Sequence, residues 1–388
     1  MNEIMNFAAT CLFGLERFVG EEIEALGYER TETIDGRVYF KGDVNAIARC
    51  NIWLRCAERV FIVMDSFHAE TFTELFDGTK NIPWENLIGK DDCFPVKGHA
   101  IKSTLFSIPD CQSIVKKAIV ERLKEKYNCS WFQETGVKYQ IEFFILNNKA
   151  SLMIDTSGLP LHKRGYRLEA GIAPIRETLA SALVQIARPR ENVRLWDPLC
   201  GSGTIPIEAA LLMTNTAPGI NRRFAAEEYA ILPKLHWKNA RDEARSAINQ
   251  DSEFSAFGTD IDKNILEVAK GNAQRAGMQN YIRFFEKDVL KITKDDVRTT
   301  IICNPPYGER MSTPAETVEL YRKMGLLFRK LAPWQFYIIS SDEDFEKHYG
   351  LRADKVRKLY NGMIKCNYYQ FFKNNSDPIL KNNTFPQN

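Results

Sequence analysis

The tetrapeptide Asn304-Pro305-Pro306-Tyr307 is the stretch of this chain whose residue types most directly imply chemistry. Two successive prolines fix φ and remove two N–H donors, so the backbone there is stiff and presents carbonyls. An exocyclic amino group of a nucleobase has two protons to donate. With the Asn304 side-chain oxygen accepting one and the Pro305 carbonyl the other, the nitrogen is drawn toward sp³ geometry. Its lone pair can then meet an electrophilic methyl group. Tyr307 can stack on the base and set the distance of approach. No strong base is required, because the proton is lost as the product forms. The bland alternative is a Pro-Pro turn after a strand.

Two further clusters suit a nucleoside cofactor. Leu195-Trp-Asp197-Pro198-Leu-Cys200-Gly201-Ser202-Gly203-Thr204 runs off an apolar strand pattern into a helical one. Glycines at such a turn let backbone N–H groups approach a ligand. A dinucleotide fingerprint would place a third glycine at position 206, where this chain has Pro206. Asp197 would repel a pyrophosphate but welcome the ammonium of a methionine-type cofactor. Phe257-Gly-Thr-Asp260-Ile261-Asp262 ends the next strand. Asp260 can accept both ribose hydroxyls, Ile261 can face adenine, and Asp262 reads as the N-cap of a helix beginning at Lys263. Asp260 follows Gly203 by 57 residues, against the usual twenty or so, and an insertion at about 215–252 accounts for the excess. Asp288, at the end of a third strand, is a candidate for the adenine amino group, and such a residue is as often a cap or turn residue.

The elements needed to hold these residues are legible from periodicity. From about Ala173, strands VRLWD, FSAFGTD, YIRFFEKD, TTIICN and FYIISS alternate with helices of 10–15 residues. That rhythm predicts an α/β fold with a doubly wound, mostly parallel sheet, closed by a terminal hairpin from VRKLYNG and IKCNYYQFF. The first 155 or so residues predict an α+β arrangement in two sequential units that could share a sheet. Its first helix, GLERFVGEEIEALGY, carries Leu15, Phe18, Val19, Ile23 and Leu26 on one face, and a second is expected to be N-capped by Asp43.

Composition narrows the class. The chain has 388 residues, 52 Lys+Arg against 50 Asp+Glu, and a net charge of +2, so nucleic-acid binding must come from a local patch. Residues 97–126 hold seven Lys/Arg against three acids. Lys97, Lys102, Lys116 and Lys117 are therefore candidate phosphate ligands, with Arg164 and Arg167 from the linker LHKRGYR. A solvated helix face is the ordinary alternative. Nine Cys without a CxxC imply reduced thiols, hence a cytoplasmic protein. The five His lack metal spacing, no apolar run reaches a membrane span, and the acidic start is not a signal peptide. Cys200 is expected for its small size and Cys303 as core.

On these motifs, residues 165–388 resemble a class I (Rossmann-like) S-adenosylmethionine-dependent methyltransferase of the amino-methylating kind, with Asn-Pro-Pro-Tyr as catalytic motif. Ala173-Pro-Ile-Arg-Glu-Thr178-Leu179 resembles that family's additional cofactor-side helix, which adds Thr178 to the cofactor residues. The first half resembles the ferredoxin-like plus THUMP pair of RNA-modifying enzymes. The resemblance implies domains at 1–66, 67–160 and 161–388, with the first boundary allowed nearer 45. It extends to bacterial THUMP-containing enzymes that methylate guanine N2, including those acting on 23S ribosomal RNA; larger members carry a second methyltransferase domain. It implies S-adenosylmethionine as cofactor, S-adenosylhomocysteine as product, no metal, RNA as partner, no membrane and no obligate protein partner. Methylation of tRNA guanine, methylation of DNA adenine N6, and a non-catalytic RNA-binding assembly factor are the alternatives.

Overall fold

The computed structural model describes residues 4–167, 175–306 and 313–373. Tyr307, the start of the Ala173–Leu179 segment and residues 374–388 lie outside them. The chain forms two compact units, and their boundaries are interleaved in sequence: residues 12–18 belong with the C-terminal unit, and residues 219–244 with the N-terminal one.

The N-terminal unit is built from β1 (Met5–Cys11), α1 (Glu16–Ala25), β2 (Glu29–Ile34), β3 (Arg37–Gly42), α2 (Asn45–Trp53), β4 (Ala57–His68), α3 (Phe72–Asn81), β5 (Val96–Ile101), α4 (Ile108–Tyr127), β6 (Ile141–Leu146) and β7 (Lys149–Asp155). The two sequential α+β units share one seven-stranded sheet in the order β2-β3-β1-β4-β7-β6-β5. β4 is the seam: it pairs antiparallel with β1 on one side and with β7 on the other. Only β5 and β6 run parallel. Before α2, Asp43 acts one position earlier than expected. Val44 occupies the cap position, while the Asp43 carboxylate accepts the Asn45 N–H at 3.1 Å.

Much of the expected insertion folds onto this unit. The Gly219 N–H donates to the Ile52 carbonyl at 2.9 Å, and the Tyr229 hydroxyl donates to the Asp155 carbonyl at 2.7 Å. The insertion's helix, α7 (Lys234–Ser246), sends Glu243 to Arg49 in a forked pair at 2.8–3.2 Å.

The C-terminal unit contains α5 (Glu177–Ala187), β8 (Arg194–Asp197), α6 (Thr204–Met213), β9 (Ala256–Asp260), α8 (Lys263–Arg275), β10 (Ile282–Glu286), β11 (Thr299–Cys303), α9 (Pro314–Lys330), β12 (Gln335–Ser340), α10 (Phe345–Tyr349), β13 (Lys355–Asn361) and β14 (Ile364–Phe371). Its sheet runs β10-β9-β8-β11-β12-β14-β13. The first five strands are parallel, and the last two form the expected antiparallel hairpin. Apolar β11, β12 and α9 pack into one core with Trp196, Cys303, Tyr321, Phe328 and Phe336 buried in it. Parallel strands joined by helices bring all their C-terminal ends to one edge. Asp197, Asp260 and Asn304, far apart in sequence, are gathered there for that reason. Among the described residues no helix is long and apolar enough to cross a membrane.

Candidate active site

The glycine turn has the backbone its composition calls for. Gly201 and Gly203 lie at φ +50° and +82°, where a side chain is strained. A Cβ on Gly203 would sit 3.0 Å from the Phe284 ring. Thr204 then starts α6, and the turn is held from behind: the Ser202 carbonyl accepts from Asn272 at 2.9 Å, and the Cys200 N–H donates to the Thr259 carbonyl at 2.9 Å. Cys200 and Cys303 are buried, and burial pushes both thiols well above their usual range. Neither is a ready nucleophile.

Asp197 is 2 % exposed and its carboxylate accepts the Leu199 N–H at 3.1 Å. No cation pairs with it among the described residues. Burial holds its carboxyl well above the usual carboxylate range, and the charge of Asp260 adds to the effect. Asp260 is aimed by two backbone donors, Gly201 N–H at 3.0 Å and Asp262 N–H at 3.1 Å, one on each oxygen. Asp262 is the expected N-cap, accepting the Asn264 N–H at 2.8 Å. Ile261, between them, is 69 % exposed, an apolar side chain held in the open at the strand ends. Asp288 caps the short turn Val289–Lys291, with Oδ1 accepting the Leu290 N–H at 2.9 Å. Thr178 is fully buried in the first turn of α5.

The loop after β11 carries the sharpest signal. Asn304 Oδ1 is buried and has no hydrogen-bond partner among the described residues. A buried acceptor left unmet costs about 1–3 kcal/mol. Two residues downstream, the Pro306 carbonyl accepts from the Tyr321 hydroxyl at 2.9 Å, and that hydroxyl lies 3.1 Å from Ser340 Oγ. Ser340 Oγ in turn accepts the Asp342 N–H at 3.1 Å. A carbonyl cannot donate and a backbone N–H cannot accept, so the relay runs one way, from Asp342 through Ser340 and Tyr321 into Pro306. Periodicity alone did not single out Tyr321. It reads as one more core aromatic on α9, and only its hydroxyl distinguishes it.

The six candidate phosphate ligands separate into three groups. Arg164 and Arg167 are corrected: both point inward. Arg164, with its side chain 2 % exposed, pairs with Glu208 at 3.4 Å, and the Tyr166 hydroxyl joins the same carboxylate at 3.1 Å. Arg167 pairs with Glu177 at 2.7 Å and donates to the Ile175 carbonyl at 3.0 Å. These guanidiniums clamp the linker to α5 and α6 and are closed to a phosphate. Lys97 and Lys116 are half-buried and matched, to Glu142 at 3.3 Å and Glu134 at 2.5 Å. Lys102 and Lys117 are exposed. No cluster of His, Cys, Asp and Glu among the described residues could hold a metal ion.

Comparison with known proteins fits this geometry. Residues 164–370 match the RMKL-like methyltransferase domain, residues 6–61 the RlmL ferredoxin-like domain, and residues 69–155 the THUMP domain. The chain belongs to the RMKL-like methyltransferase family. It is 45 % identical over 366 residues to YpsC of Bacillus subtilis, a provisionally named RNA methyltransferase, covering 94 % of this chain and 95 % of that one. It is 32 % identical to the ribosomal RNA large subunit methyltransferase K/L of Psychromonas ingrahamii, covering 91 % of this chain but 48 % of that protein, about half its length. Among solved structures, SMU.472, crystallised with S-adenosylhomocysteine, superimposes with a TM-score of 0.90 at 38 % identity over 97 % of this chain and 100 % of that one. A Listeria monocytogenes protein described, from prediction, as an N6-adenine-specific DNA methylase also has a TM-score of 0.90, at 46 % identity over 95 % and 96 % of the two chains. The C-terminal unit is thus a class I methyltransferase of the S-adenosylmethionine-dependent kind.

Proposed function

We propose that this chain transfers a methyl group from S-adenosylmethionine to the exocyclic N2 amino group of a guanine in RNA, with 23S ribosomal RNA as the substrate. The carrying observation is the buried Oδ1 of Asn304, unmet among the described residues, beside prolines held by the Tyr321 hydroxyl. The Tyr321 hydroxyl holds the Pro306 carbonyl in place, and the Pro305 carbonyl is assigned as the loop's second acceptor. Together they suit a donor of two protons, an exocyclic amine. Tyr307 is assigned to stack on the base.

S-adenosylmethionine supplies the electrophilic methyl and leaves as S-adenosylhomocysteine. The residues present fit it. Asp197, buried with no cation beside it among the described residues, suits the ammonium of its methionine part. Asp260, already aimed by two N–H groups, suits the two ribose hydroxyls, and exposed Ile261 suits the adenine face. The second oxygen of Asp288 is assigned to the adenine amino group. Pro198, Cys200, Gly201, Ser202, Gly203 and Thr204 shape the turn around the cofactor, and Thr178 backs it from α5.

The THUMP match and the RNA-methylating relatives favour RNA. The description of the Listeria protein favours a second reading, DNA adenine N6, which the same loop could serve. The RNA reading carries with it a cytoplasmic enzyme that needs no metal and no obligate protein partner. The deciding experiment measures methyl transfer to rRNA, tRNA and DNA from a strain lacking this protein, with nucleoside mass spectrometry of each product. N2-methylguanosine gained in 23S rRNA is the expected result. The same nucleoside in tRNA moves the substrate, and N6-methyladenine in DNA replaces the reading.

A further inference from the structure

We propose that the β13–β14 hairpin is a docking surface for the RNA strand that flanks the target nucleotide; this rests on the RNA reading above. Residues 355–365, KVRKLYNGMIK, carry four basic side chains and no acid, in a chain whose net charge is only +2. Asp354, at the base, accepts the backbone N–H groups of Phe372 and Lys373 at 2.8 and 2.9 Å and makes no ion pair with the four basic side chains among the described residues. Lys365 has a surface partner, Glu343 at 2.9 Å. Lys355 and Lys358 have no ion pair among the described residues.

The register places this hairpin beside the catalytic loop. Cys303 pairs with Ile338, and Ile339 with Tyr368, so Asn304 lies level with Tyr368 on β14. β14 is two strands from β11, about 10 Å across, and Met363 lies five residues beyond Tyr368, about 17 Å further along. The hairpin turn therefore extends past the catalytic edge of the sheet, two to three strands from Asn304. A Cβ on Gly362, at the turn, would lie 3.7 Å from an Arg176 nitrogen, so a fifth cation reaches the turn.

Basic residues on an edge strand have a plainer use, the prevention of edge-to-edge pairing. That use does not call for apolar groups in the open. Yet Met363, at the turn, is 98 % exposed. Beside the hairpin Phe13, 51 % exposed, meets Tyr360 edge to face at 5.7 Å. Phe13 is brought there by a close approach: a Cβ on Gly14 would lie 3.0 Å from the Lys358 carbonyl oxygen, and Gly14 has φ +90°. Cations for phosphates interleaved with flat or polarisable apolar groups for bases is the pattern single-stranded nucleic acid demands.

The test is fluorescence anisotropy with a labelled, mixed-sequence single-stranded RNA of about 20 nucleotides, and duplex DNA as the comparison. Each full-length variant is titrated across a salt series. Lys355→Glu with Lys358→Glu should weaken RNA binding about ten-fold or more and flatten the salt slope by about 1.4, two phosphate contacts' worth for a single strand. Met363→Ala should weaken it about three-fold with the slope unchanged. Binding of S-adenosylmethionine should stay within about two-fold in both, since neither site touches the glycine turn. Wild-type affinity and slope in both variants would overturn the inference, as would a loss seen for duplex DNA and not for RNA. In the first of those outcomes, methyl transfer to RNA by the wild-type protein shows that the RNA reading stands and the hairpin inference alone has failed. A wild-type protein that binds no RNA removes both.

Discussion

Charge is handled in opposite ways at the two ends of this chain. In the N-terminal unit and the linker, most of the half-buried and buried basic groups are matched to acids: Arg37 and Lys97 share Glu142, Lys116 pairs with Glu134, Arg122 with Glu85 and Arg164 with Glu208. At the C-terminal edge of the methyltransferase sheet, polar groups are held with capacity to spare. Among the described residues, Asp197 is buried without a cation and Asn304 Oδ1 without a donor. A matched charge has spent its interaction energy on the fold, whereas an unmatched one costs stability that only a ligand returns. Unmet polar capacity, more than matched charge, is what sets the proposed site apart from the rest of the described surface.

That contrast can be broken at several points, the largest first. Asn304→Ala should lower methyl transfer by several orders of magnitude while S-adenosylmethionine affinity, by calorimetry, changes little, because the lost acceptor aligns the amine. A variant keeping more than about a tenth of wild-type turnover would remove that role, since even one ordinary polar contact is worth roughly tenfold. On the matched side, Arg164→Ala leaves Glu208 buried and unpaired. It should cost about 3–5 kcal/mol of stability in denaturant unfolding and leave the salt dependence of RNA binding untouched. A stable variant with a flattened salt slope would instead restore Arg164 as a phosphate ligand.

The site carboxylates should show intermediate effects. Asp260→Ala should weaken cofactor binding by about 1.5–3 kcal/mol, whereas Asp262→Ala should leave binding alone and cost about 1 kcal/mol of stability as a lost cap. The reverse ranking in paired calorimetry and thermal unfolding would exchange their roles. Asp197 adds a pH signature. Its carboxyl is raised in the folded protein, so without cofactor its contribution to stability falls as pH rises from the unfolded value of about 3.9 toward the raised one. The ammonium needs the ionised form, so cofactor affinity should strengthen over the same rise. Asp197→Asn should flatten both curves, and an affinity profile identical to wild type would show that no cation is bound there. The smallest effect separates two neighbours on α4. Lys117→Glu should shift the salt slope of RNA binding by about 0.7, while matched Lys116→Gln should chiefly cost stability; equal slopes for Lys117→Glu and wild type would return that helix face to solvent.

How much of this was readable depended on how local each signal is. The site residues lie within single strand–turn pieces, so spacing alone locates Asp197, Gly201, Asp260 and Asn304, and the alternation of strands and helices assembles them. The inward turn of Arg164 was invisible because Glu208 lies 44 residues away. Tyr321 was hidden by its own ring, which packs as any core aromatic would. Strand β2, ERTETI, is charged and nearly all exposed, so it shows no apolar alternation. Helix α3 buries only Leu75 and Thr79, too little for a stripe. Yet its start was written plainly: Thr71 and Glu74 form a reciprocal capping box, with the Glu74 N–H donating to Thr71 Oγ1 at 3.2 Å and the Thr71 N–H to Glu74 Oε2 at 3.0 Å.

The exchange of segments between the units bears on how such a protein is made and inherited. Residues 12–18 leave the ribosome well before the hairpin strand they pack beside, at Lys358 and Leu359. Residues 219–244, which complete the N-terminal unit, follow part of the methyltransferase sheet. The N-terminal unit gains its last segment only with residue 244, and the C-terminal unit draws residues 12–18 from before most of the N-terminal one, so each waits for a segment that lies across part of the other. A gene cut at the linker would encode two incomplete bodies.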